Sequence, residues 1–331
     1  MTAAFALKQL AERLRRSKGL AAKGDIAAVA SRLGLSGDQM IAVGDDCAAI
    51  PDADGYTLFA IEGFMNEFVA ADPWFAGWCG VMVNLSDIAA MGGRPTAVVN
   101  AIWSDGEDRA VPVLEGLRAA SRTYSVPVVG GHTNTRNSHA QFAVAILGRA
   151  RKLLTSFDAS PGDRLIAAID LRGRYREPFS NWEAATDAPP ERLRGDLGIL
   201  PEIAELGLTK AAKDISQGGL VGTAAMFAEC SGVAVSINLA SIPKPESVEL
   251  ERWLQSFPSF GYLLSVRPDR VGDVLARFQG RGIAATEIGD VTRGTTVAIS
   301  DGRQREIIWD FAKSPLIGCG PDARNIRKAC A

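Results

Sequence analysis

Helical and strand patterns alternate along this 331-residue chain, and the alternation is interrupted once, near its middle. Phe75–Met91 has the apolar spacing of a helix, whereas Thr57–Ile61 has the length and composition of a strand. The interruption is a charged segment followed by a Ser-Pro-Gly-Asp turn, after which a new strand pattern begins. Because one core rarely serves a chain of this length, we predict two domains, residues 1–154 and 155–331.

The composition argues against several classes of partner. With a net charge of -2, no overall field favours nucleic acid or an anionic membrane, so we expect neither as a partner. No apolar run approaches the roughly 20 residues of a membrane span, and residues 1–20 read as an amphipathic helix rather than a signal peptide. The five cysteines are widely spaced and lack a C-x-x-C pair, which favours a reducing, cytoplasmic location.

Two stretches place carboxylates among apolar residues. In IAVGDDCAAI, Asp45 and Asp46 are adjacent; they form either a turn after Gly44 or a site for a hard cation such as Mg²⁺. In VNLSDIAAMGGRP, Asn84 and Asp87 are three residues apart and share one face of a predicted helix that ends at the glycine pair. They are either a polar pair that caps a neighbouring loop, or Asp87 is a second carboxylate of the same metal site.

Two glycine-rich stretches could bind an anion. In KDISQGGL, Asp214 and Ser216 precede a predicted helix that opens on glycines, and this is either an ordinary cap or an anion site. In GGHTNTRNSH, Gly130-Gly131 and Thr133 form a turn that could bind phosphate or a metal-bound water. The histidines of this stretch, His132 and His139, lack the spacing of a zinc pair, so a histidine metal site is not expected.

A polar segment, Leu171–Arg194, contains three prolines and shows no clear period. We predict a long loop there. Its arginines, among them Arg172, Arg174 and Arg176, either meet an anionic substrate or are simply solvated.

The four motifs, in this order, resemble the aminoimidazole ribonucleotide (AIR) synthetase superfamily. This superfamily includes thiamine-monophosphate kinase, selenophosphate synthetase and a hydrogenase-maturation dehydratase. The stretch VNLSDIAAMGGRP is similar to the kinase's NLSD-x-AAMG-x-x-P motif, and ASPGDRLIAAI resembles the strand that opens the family's C-terminal domain. The resemblance covers roughly residues 20–300. It implies a two-domain α+β fold in which the N-terminal domains pair as a β-barrel in a homodimer.

The resemblance also implies ATP and Mg²⁺ as cofactors and a small molecule as substrate. We take Asp46, Asp87 and His132 as candidate catalytic residues. The candidate magnesium ligands are Asp45, Asp46, Glu62, Asp87 and Asp214. The candidate nucleotide-binding residues are Lys18, Lys23, Asn84, Gly130, Gly131, Thr133 and Ser216, of which the two lysines lie in a segment that can fold over ATP in relatives.

Three positions depart from the kinase pattern. Glu62 stands where the family has an aspartate, and His132 and Gln217 replace two further aspartates of the kinase. The expected function is therefore phosphoryl transfer to, or activation by phosphorylation of, a small molecule. The alternatives are an ATP-dependent dehydratase or ligase, for which Cys330 is a candidate residue near the C-terminus, and a non-catalytic nucleotide-binding subunit.

Overall fold

The computed structural model describes residues 3–35 and 41–321, so Cys330 lies outside the described residues. The chain folds into two compact units, and neither is one continuous segment. The five-strand unit comprises Asp46–Leu153 and Ala188–Glu205, and the seven-strand unit comprises Met1–Asp45, Leu154–Asp187 and Leu206–Ala331. The chain thus passes between the units after residues 45, 153, 187 and 205, and the domain bounds 1–154 and 155–331 stay a prediction.

The helices and strands follow one another in three groups. Residues 3–150 form α1 (Ala3–Arg15), α2 (Lys18–Arg32), β1 (Ala48–Asp52), β2 (Gly55–Phe64), α3 (Asn66–Ala71), α4 (Pro73–Ala90), β3 (Arg94–Asp105), α5 (Glu107–Tyr124), β4 (Val128–Asn134) and β5 (Arg136–Ala150). Residues 164–231 form β6 (Arg164–Ile169), β7 (Arg174–Tyr175), β8 (Asn181–Glu183), α6 (Pro190–Leu197), α7 (Ile199–Leu206), β9 (Ala211–Asp214) and α8 (Gly219–Ser231). Residues 234–310 form β10 (Ala234–Asn238), α9 (Leu250–Leu254), β11 (Phe257–Pro258), β12 (Gly261–Val266), α10 (Val271–Gln279), β13 (Ala284–Thr292), β14 (Thr296–Ser300) and β15 (Arg305–Asp310).

Helix α4 forms the core of the five-strand unit. It begins after Asp72, whose side chain accepts a hydrogen bond from the Phe75 amide at 3.3 Å, and it ends before Gly92, which has a φ of 73°. Almost every residue between is buried. A side chain at Gly77 would collide with the α5 backbone, so α4 and α5 approach more closely than larger residues allow. No helix in the described ranges, α4 included, is long and apolar enough to span a membrane.

The sheet of the five-strand unit has the strand order β1-β2-β5-β3-β4. Its buried side chains, such as Phe142 and Val144, face α4, where Gly80 leaves room for both. Since successive residues of a strand point to opposite faces, the alternate residues point away from α4. In the described part of the chain, β1 and β4 are the two edges of an open sheet. The β-barrel that we expected is therefore not closed within one chain.

The face of this sheet that points away from α4 is apolar and exposed. Phe59 on β2 is opposite Leu147 on β5, and these side chains are 49% and 42% exposed. Ile61, the next outward residue on β2, is 65% exposed, and Val99 on β3 adds another exposed apolar side chain. We call this surface the open face. A contiguous apolar surface of this kind usually marks an interaction site.

The seven-strand unit is built on a sheet with the order β15-β14-β10-β13-β6-β12-β9. Strands β6 and β12 lie inside the sheet and are almost entirely buried, and α8 is buried along most of its length. Helix α1 packs on β15, where the Arg15 guanidinium donates hydrogen bonds to the carbonyls of Ile307 and Ile308 at 2.8 and 3.2 Å. The first residues of this unit are therefore joined to its last strand.

The prediction of one long loop over Leu171–Arg194 is wrong. The segment contains β7 and β8, which join β11 in a three-stranded sheet, and also the first residues of α6. Trp182 is buried and donates a hydrogen bond from its indole nitrogen to the carbonyl of Asp170 at 3.1 Å. Tertiary burial of one aromatic side chain thus orders a stretch without sequence periodicity. Of the arginines, Arg172 pairs with Asp170, and Arg174 pairs with Asp187 at 2.7 Å.

Candidate functional site

Helix α4 carries two buried polar side chains, as the sequence predicts. Asn84 is fully buried, and its amide nitrogen donates a hydrogen bond to the carbonyl of Gly80 at 2.8 Å. Its amide oxygen has no hydrogen-bond partner among the described residues. Asp87, one turn further along the helix, is 4% exposed. A buried oxygen without a partner costs about 1–3 kcal/mol, so the Asn84 oxygen is available to a ligand or ion.

Asp46 lies beside Asp87 in the five-strand unit. A carboxylate oxygen of Asp46 is within 4.8 Å of a carboxylate oxygen of Asp87. Two ionised carboxylates at this separation repel each other, and the repulsion is strong where burial limits screening by water. A divalent cation with oxygen ligands would offset the repulsion, and Mg²⁺ commonly binds to one or two carboxylates. These residues therefore fit a magnesium ion.

Glu62 lies on the side of the sheet that α4 covers. On β2, Leu58, Ala60 and Glu62 alternate with the outward residues, and Glu62 is opposite the buried Val144 of β5. The side chain thus shares this face with the helix that carries Asp87. Its role as a magnesium ligand stays a prediction.

Asp45 has different surroundings from its neighbour Asp46. One oxygen of the Asp45 carboxylate accepts a hydrogen bond from the Ser156 amide at 2.8 Å, and the other accepts one from the Ser156 hydroxyl at 2.6 Å. Both residues belong to the seven-strand unit. Sequence reasoning missed Ser156, because no local pattern relates it to a residue more than a hundred positions earlier. Magnesium binding by Asp45 stays a prediction.

The DISQGG stretch forms the turn before α8 in the seven-strand unit. Asp214 ends β9 and is 3% exposed, and the Ser216 hydroxyl is buried with no hydrogen-bond partner among the described residues. Helix α2 lies directly against this turn, since a side chain at Gly19 would approach the Gln217 carbonyl to 2.6 Å. Lys23 of α2 reaches the turn at Gly218. The structure thus brings Lys23 and Ser216 to the same helix N-terminus.

Lys18 is the first residue of α2 and is exposed. The preceding residue, Ser17, caps the helix, because its hydroxyl oxygen accepts a hydrogen bond from the Leu20 amide at 3.3 Å. The lysine therefore lies at the same end of α2 as Gly19.

The GGHT stretch lies on the edge strand β4 and is exposed along its length. His132 is opposite Ala101 of β3, and its ring centroid is 5.4 Å from that of Trp103. His132 therefore points to the open face, whereas Asp87 belongs to the helix on the other side of the sheet. Gly130 lies on the same face of the sheet as His132, whereas Gly131 and Thr133 lie on the opposite face. His139 bonds to the Ser138 hydroxyl at 2.9 Å and has no contact in common with His132 among the described residues.

Two family descriptions match this chain. The AIR synthase related protein N-terminal domain matches residues 44–150, and the corresponding C-terminal domain matches residues 179–302. The chain therefore belongs to the AIR synthase related protein family. The chain is also 46% identical over 323 residues to an uncharacterized protein of Synechocystis, covering 96% of this chain and 100% of the relative. It is 28% identical over 275 residues to thiamine-monophosphate kinase of Methanospirillum hungatei, covering 78% of this chain and 90% of the kinase.

Solved structures share the fold. A structure described as AaThiL complexed with AMPPCP and TMP aligns with a TM-score of 0.65 at 20% identity, covering 87% of this chain and 96% of that chain. T. maritima PurL complexed with ATP aligns with a TM-score of 0.72 at 17% identity, covering 88% of this chain. This chain spans only 49% of that PurL chain. These alignments show the two-domain α+β fold of the family.

Proposed function

We propose that this protein is a Mg²⁺- and ATP-dependent enzyme that phosphorylates a small molecule or activates it by phosphorylation. The observation that carries the proposal is the Asp46–Asp87 pair, in which two carboxylates from the GDD and NLSD motifs lie within 4.8 Å of each other. Supporting evidence comes from relatives. One is a thiamine-monophosphate kinase, and two structures with the same fold are complexed with AMPPCP and with ATP.

In the proposed site, Asp46 and Asp87 hold Mg²⁺, with Glu62 as a further ligand from the same unit. The ion would neutralise phosphate charge, which phosphoryl transfer requires more than it requires a special nucleophile. The amide oxygen of Asn84 lies one turn from Asp87 and orients a polar group of the bound ligand. We include Asp45 and Asp214 as ligands on the family resemblance alone.

The nucleotide phosphates are proposed to bind to two glycine-rich segments. The turn before α8 presents the Ser216 hydroxyl, the positive end of the helix dipole favours an anion there, and Lys23 adds a positive charge. On the family resemblance alone, Gly130, Gly131 and Thr133 of β4 and Lys18 of α2 stay candidate nucleotide-binding residues. His132 stays a candidate catalytic residue on the family resemblance, although it points to the open face, on the opposite side of the sheet from Asp87.

Calorimetry with AMPPCP tests this proposal. The wild type is expected to bind AMPPCP when Mg²⁺ is present and to lose most of that binding in EDTA. Asp46→Asn should weaken Mg²⁺-dependent binding by about tenfold or more, because it removes a charged ligand. The matched control is Asp54→Asn, which changes an exposed carboxylate 82% accessible to solvent in the same unit. Absence of binding by the wild type, or equal effects of the two variants, would contradict the proposal.

A turnover assay separates the enzyme from its alternatives. We expect ADP release with at least one small-molecule acceptor, and thiamine monophosphate is the first to test because a relative is its kinase. Binding without turnover across an acceptor panel would favour a non-catalytic nucleotide-binding subunit. An ATP-dependent adduct on Cys330, detected by mass spectrometry, would favour a dehydratase.

We also propose that two copies of the chain pair through the open face. Ile61 is the most exposed apolar side chain of that face, so Ile61→Lys should convert a dimer to a monomer while changing the thermal midpoint little. Light scattering measures the mass. Val111→Lys on α5 is the control, because it alters an exposed apolar residue on the other side of the unit. A monomeric wild type, or an Ile61→Lys dimer, would refute this pairing.

A further inference from the structure

The segment that leads into the Asp45–Asp46 pair is held by three contacts within the seven-strand unit. Gly44 has a φ of 116°, and a side chain there would collide with Cys319. The Cys230 thiol lies 3.4 Å from the Gly44 carbonyl oxygen, to which it donates. Ser156 then binds both oxygens of the Asp45 carboxylate, at 2.8 and 2.6 Å. Such charge-assisted hydrogen bonds are about twice as strong as neutral ones.

Ser156 is itself fixed from two sides. Its side chain is fully buried, and its backbone carbonyl accepts a hydrogen bond from the Ser231 hydroxyl at 2.7 Å. The amine of Lys213, a residue only 4% exposed, lies 3.4 Å from the Ser156 hydroxyl oxygen. A buried ammonium group requires a nearby negative charge or hydrogen-bond acceptors. Lys213, Ser156 and Asp45 thus form a continuous row of hydrogen-bonding groups, of which the first two are buried.

The pKa of the Cys230 thiol depends on burial and on the same two charged groups. Burial raises its pKa well above the ordinary value, while Lys213 lowers it and Asp45 raises it further.

We propose that Ser156, supported by Lys213, is a positioning residue for the magnesium site. By holding the Asp45 carboxylate, it fixes the backbone immediately before Asp46 and so limits the orientations open to the Asp46 carboxylate. Asp45 then contributes to the site as an anchor, and the remaining lone pairs of its carboxylate oxygens can still bind the ion. The role of Ser156 in magnesium binding rests on the proposed function. Its hydrogen bonds to Asp45 do not, because they are present in the protein without ligands.

The first test compares Ser156→Ala with Thr155→Val. Each variant removes one hydroxyl from the same segment, but the Thr155 hydroxyl bonds to Asp158 at 2.7 Å and does not contact Asp45. Calorimetry would measure the Mg²⁺ concentration for half-saturation at a fixed AMPPCP concentration. We expect Ser156→Ala to raise that concentration about tenfold, because the Asp46 carboxylate must then be ordered on binding, and Thr155→Val to leave it within about twofold. Equal shifts in the two variants would overturn the proposal.

The second test needs neither metal nor nucleotide. Hydrogen exchange followed by mass spectrometry would compare the peptide that spans residues 41–50 in the ligand-free proteins. We expect faster exchange in Ser156→Ala and wild-type exchange in Thr155→Val. If the peptide exchanges equally in Ser156→Ala and the wild type, the Ser156 hydroxyl does not hold the segment and the proposal is wrong. A wild type that binds no Mg²⁺ or AMPPCP would refute the proposed function, and this second test would still decide whether Ser156 holds the segment.

Discussion

Asp87→Asn is expected to weaken Mg²⁺-dependent nucleotide binding by a factor on the order of 100, because the variant loses one of two close carboxylate ligands. In the absence of metal the same variant should be more stable than the wild type, by about 1 kcal/mol, since it removes repulsion between two carboxylates. The carboxylate oxygens concerned lie within 4.8 Å of each other. The two effects have opposite signs, which a general loss of structure does not produce. Calorimetry and chemical unfolding measure them.

Asp72→Ala is the matched control for this prediction. It removes the N-terminal cap of the same helix, which typically costs about 1 kcal/mol, but leaves Asp87 in place. We expect Asp72→Ala to be less stable than the wild type but to bind nucleotide with an affinity close to that of the wild type. If Asp87→Asn destabilises the ligand-free protein and binds Mg²⁺ normally, the pair is a structural element rather than a metal site.

Glu229→Ala should lower the free energy of unfolding by about 3 kcal/mol, because buried amides would lose a charged acceptor. Glu229 lies in the last turn of α8 and is 5% exposed. Its carboxylate accepts hydrogen bonds from the amides of Leu316, Ile317 and Gly318, at 2.8 to 3.1 Å. One side chain thus binds a stretch of the chain that has no regular secondary structure. Chemical unfolding of the two proteins tests this.

Two comparisons sharpen the Glu229 test. Glu251→Ala removes an exposed carboxylate that pairs with Arg13, and it should leave stability nearly unchanged. Burial raises the pKa of Glu229 above the ordinary carboxyl pKa of 4.5. The free energy of unfolding of the wild type, relative to that of Glu229→Gln, should therefore be largest below pH 4.5 and should fall as the pH rises through the raised pKa. This account would be contradicted if the stability difference between the wild type and Glu229→Gln grew with pH, or if the Glu229→Ala variant were as stable as the wild type.

Much of the fold follows from local patterns. The apolar spacing of residues 75–91 predicts α4, and the glycine pair after it predicts where the helix ends; the structure places that helix at Pro73–Ala90. The position of Asn84 and Asp87 on one helical face also follows, because three residues are close to one turn. These features depend only on neighbours in sequence, which is why they can be predicted.

Other features depend on contacts between distant segments. The bond from Ser156 to Asp45 joins residues 111 positions apart, and neither local sequence requires it. The strands within Leu171–Arg194 pair with the distant β11 and include the buried Trp182, although the stretch itself has no period. Likewise, GGHTNT was predicted as a turn, but it forms an edge strand whose His132 points to the open face. Tertiary packing decides all three.

The order in which the seven-strand unit acquires its parts has a consequence for folding during translation. Helix α1 is translated long before β15, yet Arg15 bonds to carbonyls of that strand. The contact between α1 and β15 therefore cannot form until β15 has left the ribosome. The five-strand unit needs only the chain up to Glu205, so it can be complete while its neighbour is still partly inside the exit tunnel. Contacts of such high sequence separation make slow closure of the seven-strand unit the expected last step of folding.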